Sequence, residues 1–353
     1  MAKAQNAIGL DIGSSSIKLV QIKKTRRGLS LENFAMAPLP PDTIEDGLFL
    51  NRTAIIEMIR ELIELNKIRA RDVALSVGGH SIIVKKINLP AMTDAELEES
   101  IRWEAAQYIP FDLVDVYLDY QILRVRAEQG QMEVLLVAAK REIVDQYISV
   151  VKEADLKPVV IDTDCFAVQN IYEFGYGSKE NELVALIHIG AESLNINLLA
   201  YGVTTFTRDL RMGTRLYLQE IQKELGISPE DAEAYLTSDG GDRNIIPEEI
   251  YLIIKRISEG IASEIKRSLD FYLATSGEER IDQVYLSGGG AKITPLQDAI
   301  ISLIGAPLEQ LDPFKNLNVD PQLFNLEYLD EVRPLATVAL GLSLRMRGDG
   351  DRE

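Results

Sequence analysis

The residues best suited to chemistry in this chain are Asp11, Gly13, Ser14, Ser15 and Lys18. They lie in Ile8-Gly9-Leu10-Asp11-Ile12-Gly13-Ser14-Ser15-Ser16-Ile17-Lys18-Leu19-Val20. An apolar strand ends in an acid, a glycine turn rich in hydroxyls follows, and the return strand opens with a lysine. Backbone amides at 13–15 can form the anion-binding concavity that tight turns make. Asp11 is placed to hold a hydrated Mg²⁺, a hard cation that takes oxygen ligands. Lys18, one pleat into the return strand, adds a positive point charge toward a phosphate. An ordinary hairpin, in which Gly and Ser only make the turn, accounts for the stretch equally well.

Two further stretches bear on that choice. Val184-Ala185-Leu186-Ile187-His188-Ile189-Gly190-Ala191-Glu192-Ser193-Leu194-Asn195-Ile196-Asn197 repeats the opening pattern, with Gly190 where Gly13 sits. The separation, 190 − 13 = 177, is half of the 353 residues. Such a repeat suggests two related domains facing each other, each offering a hairpin to one ligand; chance likeness of two glycine hairpins is the alternative. Gln283-Val284-Tyr285-Leu286-Ser287-Gly288-Gly289-Gly290-Ala291 is a strand feeding a triple glycine. Glycines there let the backbone approach something flat or anionic closely, or simply make a left-handed turn before the helix at Pro295.

The elements that must position these residues follow from apolar periodicity. Strands are expected at 31–37, 73–77, 82–89, 116–125, 131–138, 159–161 and 202–207. Helices are expected from Thr53, from Thr93 with Glu96 at capping-box spacing, at 141–154, at 164–174, up to Leu225 and from Ser228. Ile250, Ile253, Ile254, Ile257, Ile261, Ile265, Leu269 and Tyr272 make one continuous helical stripe, whose plain meaning is a core helix. Residues 238–244 read as a polar loop, 307–331 as irregular, 334–346 as a closing helix and 347–353 as a polar tail. The 82–154 block reads as an inserted α+β subdomain.

Composition bounds the class. The chain is 46% hydrophobic and 26% charged, so disorder is not the default. Its one cysteine, Cys165, cannot form an internal disulfide, which points to a reducing compartment. The chain enters a strand within about seven residues, without a signal-peptide pattern, and no apolar run approaches the ~20 residues of a membrane helix. Lys+Arg 37 against Asp+Glu 55 gives −18, which argues against nucleic-acid binding and against direct docking or insertion in an anionic membrane.

Hairpin, second hairpin, strand with triple glycine, and closing helix together resemble the nucleotide-binding fold of actin, hexokinase and the large chaperone ATPases. Asp11-Ile12-Gly13-Ser14-Ser15-Ser16-Ile17-Lys18 is similar to the opening of the PilM family, the cytoplasmic actin-like components of type IV pilus assembly machines. So is Glu99-Ser100-Ile101-Arg102-Trp103-Glu104-Ala105-Ala106-Gln107-Tyr108-Ile109-Pro110-Phe111 with Asp119-Tyr120-Gln121, a block absent from actin and sugar kinases. The resemblance spans essentially the whole chain and extends to FtsA, which also places its extra subdomain differently from actin. It implies an α/β actin/FtsA-like ATPase fold. Residues 1–77 and 155–180, with helix 334–346 nearby, would form one subdomain and 78–154 the inserted one. Residues 181–215 with 276–333, and 216–275, would form the second half.

The family implies ATP with Mg²⁺ between the halves. Asp11, Gly13, Ser14, Ser15 and Lys18 map onto the first phosphate hairpin, and Gly190, Ala191, Glu192 and Ser193 onto the second. Gly213 and Thr214 fall at the nucleotide-side turn, Gly288, Gly289 and Gly290 at the adenosine turn, and Glu233 at the ribose. Relatives carry Asp at the position of His188 and Lys at that of Leu236; both departures weaken the case for fast hydrolysis, leaving at most a slow ATPase. The family further implies a partner, the N-terminal cytoplasmic peptide of PilN, which recruits the protein to the inner membrane. The peptide would lie in a groove drawing on Ile82, Val84, Ile87, Leu89, Leu97 and Ile101, with Trp103, off the helix stripe, serving as an anchor or as packing between subdomains. Pilus motor and platform proteins are further implied partners. A small-molecule kinase of the same fold would need a general base, for which Asp162 or Asp164 are candidates, though each would serve equally as a helix N-cap. An FtsA-type filament protein would need a C-terminal amphipathic helix, which 345–353 does not resemble.

Overall fold

The computed structural model describes residues 7–179, 181–237 and 246–346. The polar loop expected at 238–244 and the tail at 347–353 lie outside them. The first half opens with β1 (Ile8–Ile12), β2 (Ser16–Thr25) and β3 (Gly28–Pro38), then the short β4 (Ile44–Glu45) and β5 (Leu48–Phe49), α1 (Arg52–Leu65) and β6 (Asp72–Val77). An insertion follows: β7 (Ile82–Pro90), α2 (Asp94–Ala105), β8 (Val116–Arg126), β9 (Gln131–Lys140) and α3 (Arg141–Glu153). β10 (Lys157–Thr163) and α4 (Asp164–Tyr176) close the half. The second half runs β11 (Leu183–Ile189), β12 (Leu194–Ala200), β13 (Val203–Leu210), α5 (Arg215–Leu225), α6 (Pro229–Thr237) and α7 (Glu248–Ser276). It continues with β14 (Gln283–Ser287), α8 (Thr294–Ile304), β15 (Leu308–Gln310), α9 (Leu326–Val332) and α10 (Thr337–Ser343).

The two halves repeat one topology. The first sheet, taken from its β3 edge, runs β3-β2-β1-β6-β10; the second runs β13-β12-β11-β14-β15. In each, the first strand is antiparallel to the second and parallel to the strand on its other side. β1 and β11 read as apolar runs rather than alternations because both faces of such central strands are covered. The register matches too. Asp11 faces Lys18 and His188 faces Asn195, so 188 − 11 and 195 − 18 both equal the 177-residue repeat.

Local chemistry sets the helix ends. Asn51 accepts the Ala54 amide at the start of α1, Thr163 accepts that of Phe166 at the start of α4, and Thr93 with Glu96 closes a capping box on α2. The α7 stripe lies buried in the second-half core with the walls of β11 and β12. α10 crosses the first half, seated on β1 and α4. This approach requires glycine twice, since a Cβ at Gly9 would overlap the Ala339 carbonyl and one at Gly341 that of Ala167.

Three expectations are corrected. The closing segment is a 3₁₀ turn at Arg333–Ala336 followed by α10. Residues 307–331 contain β15, paired parallel to β14, and α9, capped by Asn325, whose side chain accepts two amides. The strand expected at 202–207 extends to Leu210, because the β12–β13 ladder runs on to Leu194 opposite Leu210.

The insertion is a three-stranded antiparallel sheet, β7-β9-β8, with α2 on one face. Its core holds Ile87, Leu89, Leu97, Ile101 and Ala105. Each large aliphatic buried this way contributes roughly 1.5–3 kcal/mol. The reverse face of its sheet meets the rest of the molecule: Val84 and Ala139 pack against the first-half core, and Thr207 Oγ1 donates to the Val84 carbonyl at 3.2 Å.

Candidate functional site

The two repeat hairpins are closed by the same bond. Gly13 N–H donates to Ser16 O at 3.2 Å, and Gly190 N–H to Ser193 O at 2.8 Å. The expectation that the Gly13 amide serves an anion is therefore corrected: that donor is consumed in making the turn. The amides of Ser14 and Ser15, and of Ala191 and Glu192, find no protein acceptor among the described residues. They are the donors each turn can present to a phosphate.

Asp11 and Lys18 face one another across β1 and β2, and their ion pair measures 3.1 Å. The pair is nearly buried, and the lysine ammonium lies beside Gly13. Lys18 thus balances Asp11 rather than reaching out from the turn. In the second hairpin the equivalent pair is His188 and Asn195. His188 Nδ1 lies 2.9 Å from Ser287 Oγ, on the neighbouring strand β14. Burial pushes its pKa down to about 4, opposed by the Asp11 carboxylate and aided by the Lys18 charge. The imidazole is neutral at pH 7 and within electrostatic reach of the Asp11–Lys18 pair across the cleft.

Asp209 and Asp164 are largely buried acids within electrostatic reach of one another. Asn195 donates to Asp209 at 2.9 Å, and burial raises the Asp209 pKa to about 6. Asp209 was missed in the sequence because the strand that carries it runs three residues further than its apolar pattern. Asp164, at the start of α4, accepts from Ser76 Oγ at 2.6 Å. Burial, with the Asp11 charge behind it, raises its pKa to about 7. Its carboxylate fills the space a Cβ would need at Gly78. Asp162, the other candidate base, is held by Arg345 at 3.2 Å and by the Thr163 amide at 2.9 Å.

A cavity of about 120 Å³ opens between the hairpins, lined by Gly13, Ser14, Asp164, Glu192, Ser193 and Arg211 among others. Glu192 turns away from the turn amides to Arg215, and burial raises its pKa against that partner. Gly213 is pressed against the second hairpin: Thr214 N–H donates to Gly190 O at 3.0 Å and Arg215 N–H to Ala191 O at 2.9 Å. A Cβ at Gly213 would overlap both of those carbonyls. The triple glycine divides its duties. Cβ atoms at Gly288 and Gly290 would overlap Ile189, so these two are glycine to let β14's exit pass β11. Gly289 alone is partly exposed, with nothing closer than 3.5 Å to a Cβ. Glu233 is exposed on α6, while Leu236 is buried in the second-half core.

No three His, Cys, Asp or Glu side chains gather into a metal cage among the described residues. A Mg²⁺ here would draw on Asp11 through water and on oxygens that its ligand brings, which is how Mg²⁺ is commonly held beside phosphates.

The expected partner groove is corrected at the side-chain level. Ile87, Leu89, Leu97 and Ile101 are core residues of the insertion, and Ile82 and Val84 pack against the first half. The apolar stripe of α2 is what holds the helix to its sheet, so it offers a partner no surface. Trp103 points the other way and is 80% exposed.

A family model described as type IV pilus assembly protein PilM matches residues 9–347. Among solved structures, one described as a PilM–PilN type IV pilus biogenesis complex is 31% identical over 96% of this chain and 98% of that one, with a TM-score of 0.86. The ethanolamine utilization protein EutJ of Carboxydothermus hydrogenoformans is 16% identical over 96% of this chain and 89% of its own, at TM-score 0.58. MreB5 of Spiroplasma citri, in a structure described as bound to ADP, is 13% identical over 96% of this chain and 95% of its own, at TM-score 0.55. The chain has the actin-like fold these proteins share.

Proposed function

The chain belongs to the type IV pilus assembly protein PilM family, and we propose that it serves there as an ATP-binding cytoplasmic scaffold that engages the N-terminal peptide of PilN. The observation that carries the nucleotide part is the pair of matched turns. Two glycine hairpins, related by the repeat and closed by the same bond, present free amides across one cleft, with Gly213 pressed to the second. The polyphosphate would sit between Ser14–Ser15 and Ala191–Glu192, Mg²⁺ near Asp11, and adenosine toward Gly289 and Thr214. Gly13, Gly190, Gly288 and Gly290 shape the backbone that makes this room.

Bound ATP would supply a bridging polyanion that draws the two halves together. The chain's own residues favour holding it over splitting it. His188 stays neutral where an acid would order Mg²⁺ and water, and Lys18 is spent on Asp11. Of the two candidate bases for a kinase reading, Asp162 is paired with Arg345 and Asp164 accepts from Ser76. The PilN part rests on the solved PilM–PilN relative and on an exposed tryptophan beside the insertion's core. No helix among the described residues is long and apolar enough to cross a membrane, so recruitment to the inner membrane would come through the partner.

Calorimetry with Mg-ATP on the purified protein tests the cleft, and capture on an immobilised PilN N-terminal peptide tests the partner. The scaffold reading expects binding in both and slow turnover. Phosphotransfer to a sugar or carboxylic acid at enzyme-like rates would sink it.

A further inference from the structure

Between β3 and α1 the chain makes a small excursion that the repeat does not account for. β4 and β5 form a hairpin, Ile44 opposite Phe49 and Glu45 opposite Leu48. Its tip is wound through left-handed backbone at Asp46 (φ 50°) and Gly47 (φ 79°). The base is fixed: Leu50 N–H donates to Thr43 O at 2.9 Å, and Thr43 Oγ1 to Pro40 O at 2.7 Å. One flank is tied to α3. Gln146 accepts the Phe49 amide at 3.0 Å and donates to the Gly47 carbonyl at 3.2 Å, and the Phe49 ring lies 4.4 Å from that of Tyr147.

The tip reaches across to the other half. Asp46 N–H donates to Glu192 Oε2 at 3.1 Å, and the Asp46 carboxylate pairs with Arg211 at 3.2 Å. Glu192 belongs to the turn of the second phosphate hairpin and is itself held by Arg215. Two ion pairs, Arg211–Asp46 and Arg215–Glu192, joined by the Asp46 amide on the Glu192 carboxylate, therefore bridge the mouth of the cavity between the hairpins. Asp46 and Arg211 are both well exposed, so their ion pair is weak, screened by salt and easily broken. The flank on α3 is apolar and doubly hydrogen-bonded. One end is thus anchored and the other is releasable.

We propose that the β4–β5 hairpin is a strap that closes the cleft at its phosphate end and must let go of Glu192 and Arg211 before a bound nucleotide can leave. This rests on the reading of the cleft as a nucleotide site. Because the anchored end sits on α3, at the exit of the insertion, the strap also links cleft closure to the insertion that carries Trp103.

The test uses the full chain and a fluorescent ATP analogue with Mg²⁺. Asp46→Asn keeps a residue that tolerates left-handed backbone while removing the charge. Arg211→Ala removes the partner. Each is expected to speed analogue release by about fivefold, and the double variant no further, since both break one contact. Arg52→Gln, which breaks the Arg52–Glu153 pair between α1 and α3 without touching the second half, is expected to release at the wild-type rate. In parallel, hydrogen exchange without nucleotide is expected to show the amides of Asp46 and Gly190 losing protection in Asp46→Asn. Wild-type release rates in both strap variants overturn the proposal whatever the exchange shows. If the wild type takes no nucleotide, the cleft reading fails by itself and exchange decides the strap: unchanged protection overturns it.

Discussion

Asp11 does two jobs at once, and they can be separated. It neutralises a buried lysine and it faces the cleft. Asp11→Ala leaves the Lys18 ammonium uncompensated and is expected to lower stability by about 3 kcal/mol, so lost ATP binding in that variant alone would be ambiguous. The double variant Asp11→Ala, Lys18→Met replaces a buried ion pair by apolar groups, and such exchanges are often close to neutral. Its thermal midpoint is expected to recover toward wild type while Mg-ATP affinity by calorimetry stays low; retained affinity would remove Asp11 from the site. Asp164 gives a second residue-scale outcome, in pH. Its folded pKa of about 7 lies above the unfolded value of 3.8, so its contribution to stability is present below pH 4 and is lost as pH rises through 7. His188 runs the other way. Its folded value of about 4 lies below 6.5, so its contribution is present above pH 6.5 and lost as pH falls toward 4. Asp164→Asn keeps a partner for Ser76 and removes the first term only. From pH 5 to 7 the wild type is expected to lose on the order of 2 kcal/mol more than this variant in chemical denaturation, an amount discounted for the solvent the cleft admits. Parallel profiles would show that Asp164 is ionised in the fold.

At the scale of elements, Gly213 is the clearest lever. A side chain there collides with the carbonyls of Gly190 and Ala191, so Gly213→Ala must push α5's entry away from the second hairpin. About tenfold weaker Mg-ATP binding is expected, equivalent to ~1.4 kcal/mol, with core strands unchanged in hydrogen exchange. Wild-type affinity would place the nucleotide elsewhere. The hairpins, the half-chain repeat and the strand before the triple glycine were legible in the sequence. A glycine turn between two apolar runs is a local signal, and its recurrence at a fixed spacing needs no knowledge of contacts. What was not legible depended on partners far along the chain. Asp209 comes to lie beside Asn195 because β13 keeps pairing with β12 past its apolar stretch. The Gly13 amide is taken by Ser16, whereas the sequence says only that a turn is present. Asp46 reads as a surface acid in a loop, and its bond to Glu192 spans 146 positions. The α2 stripe was read correctly as apolar but assigned to a partner, although its own sheet covers it. Gly288 and Gly290, which the sequence leaves open between a ligand contact and a turn, have Ile189 as their tight neighbour.

At the scale of the whole molecule, the two halves share one core along α4 and α10, and β13 of the second half also reaches β7 of the insertion, where Thr207 donates to the Val84 carbonyl. A partner docked on the insertion is therefore mechanically close to the site it would regulate. The chain holds a single tryptophan, which makes the docking face readable without labels. Trp103 is 80% exposed, so its emission in the free protein should be that of an indole in water. If a PilN N-terminal peptide covers it, emission shifts to shorter wavelength and amides of β7 and α2 gain protection from hydrogen exchange. Trp103→Ala is then expected to weaken the peptide by roughly 1–2 kcal/mol, the scale of an aromatic anchor at an interface, without lowering the melting temperature, since the side chain holds nothing inside the fold. Trp103→Phe should recover part of that loss. Three results can follow binding of the peptide. A shifted emission with protection at β7 and α2 supports the groove beside the insertion. Protection there with unchanged emission keeps the groove but takes Trp103 out of it. Protection confined to the second half, with emission unchanged, moves the partner to another face and leaves the exposed tryptophan to a different protein of the assembly.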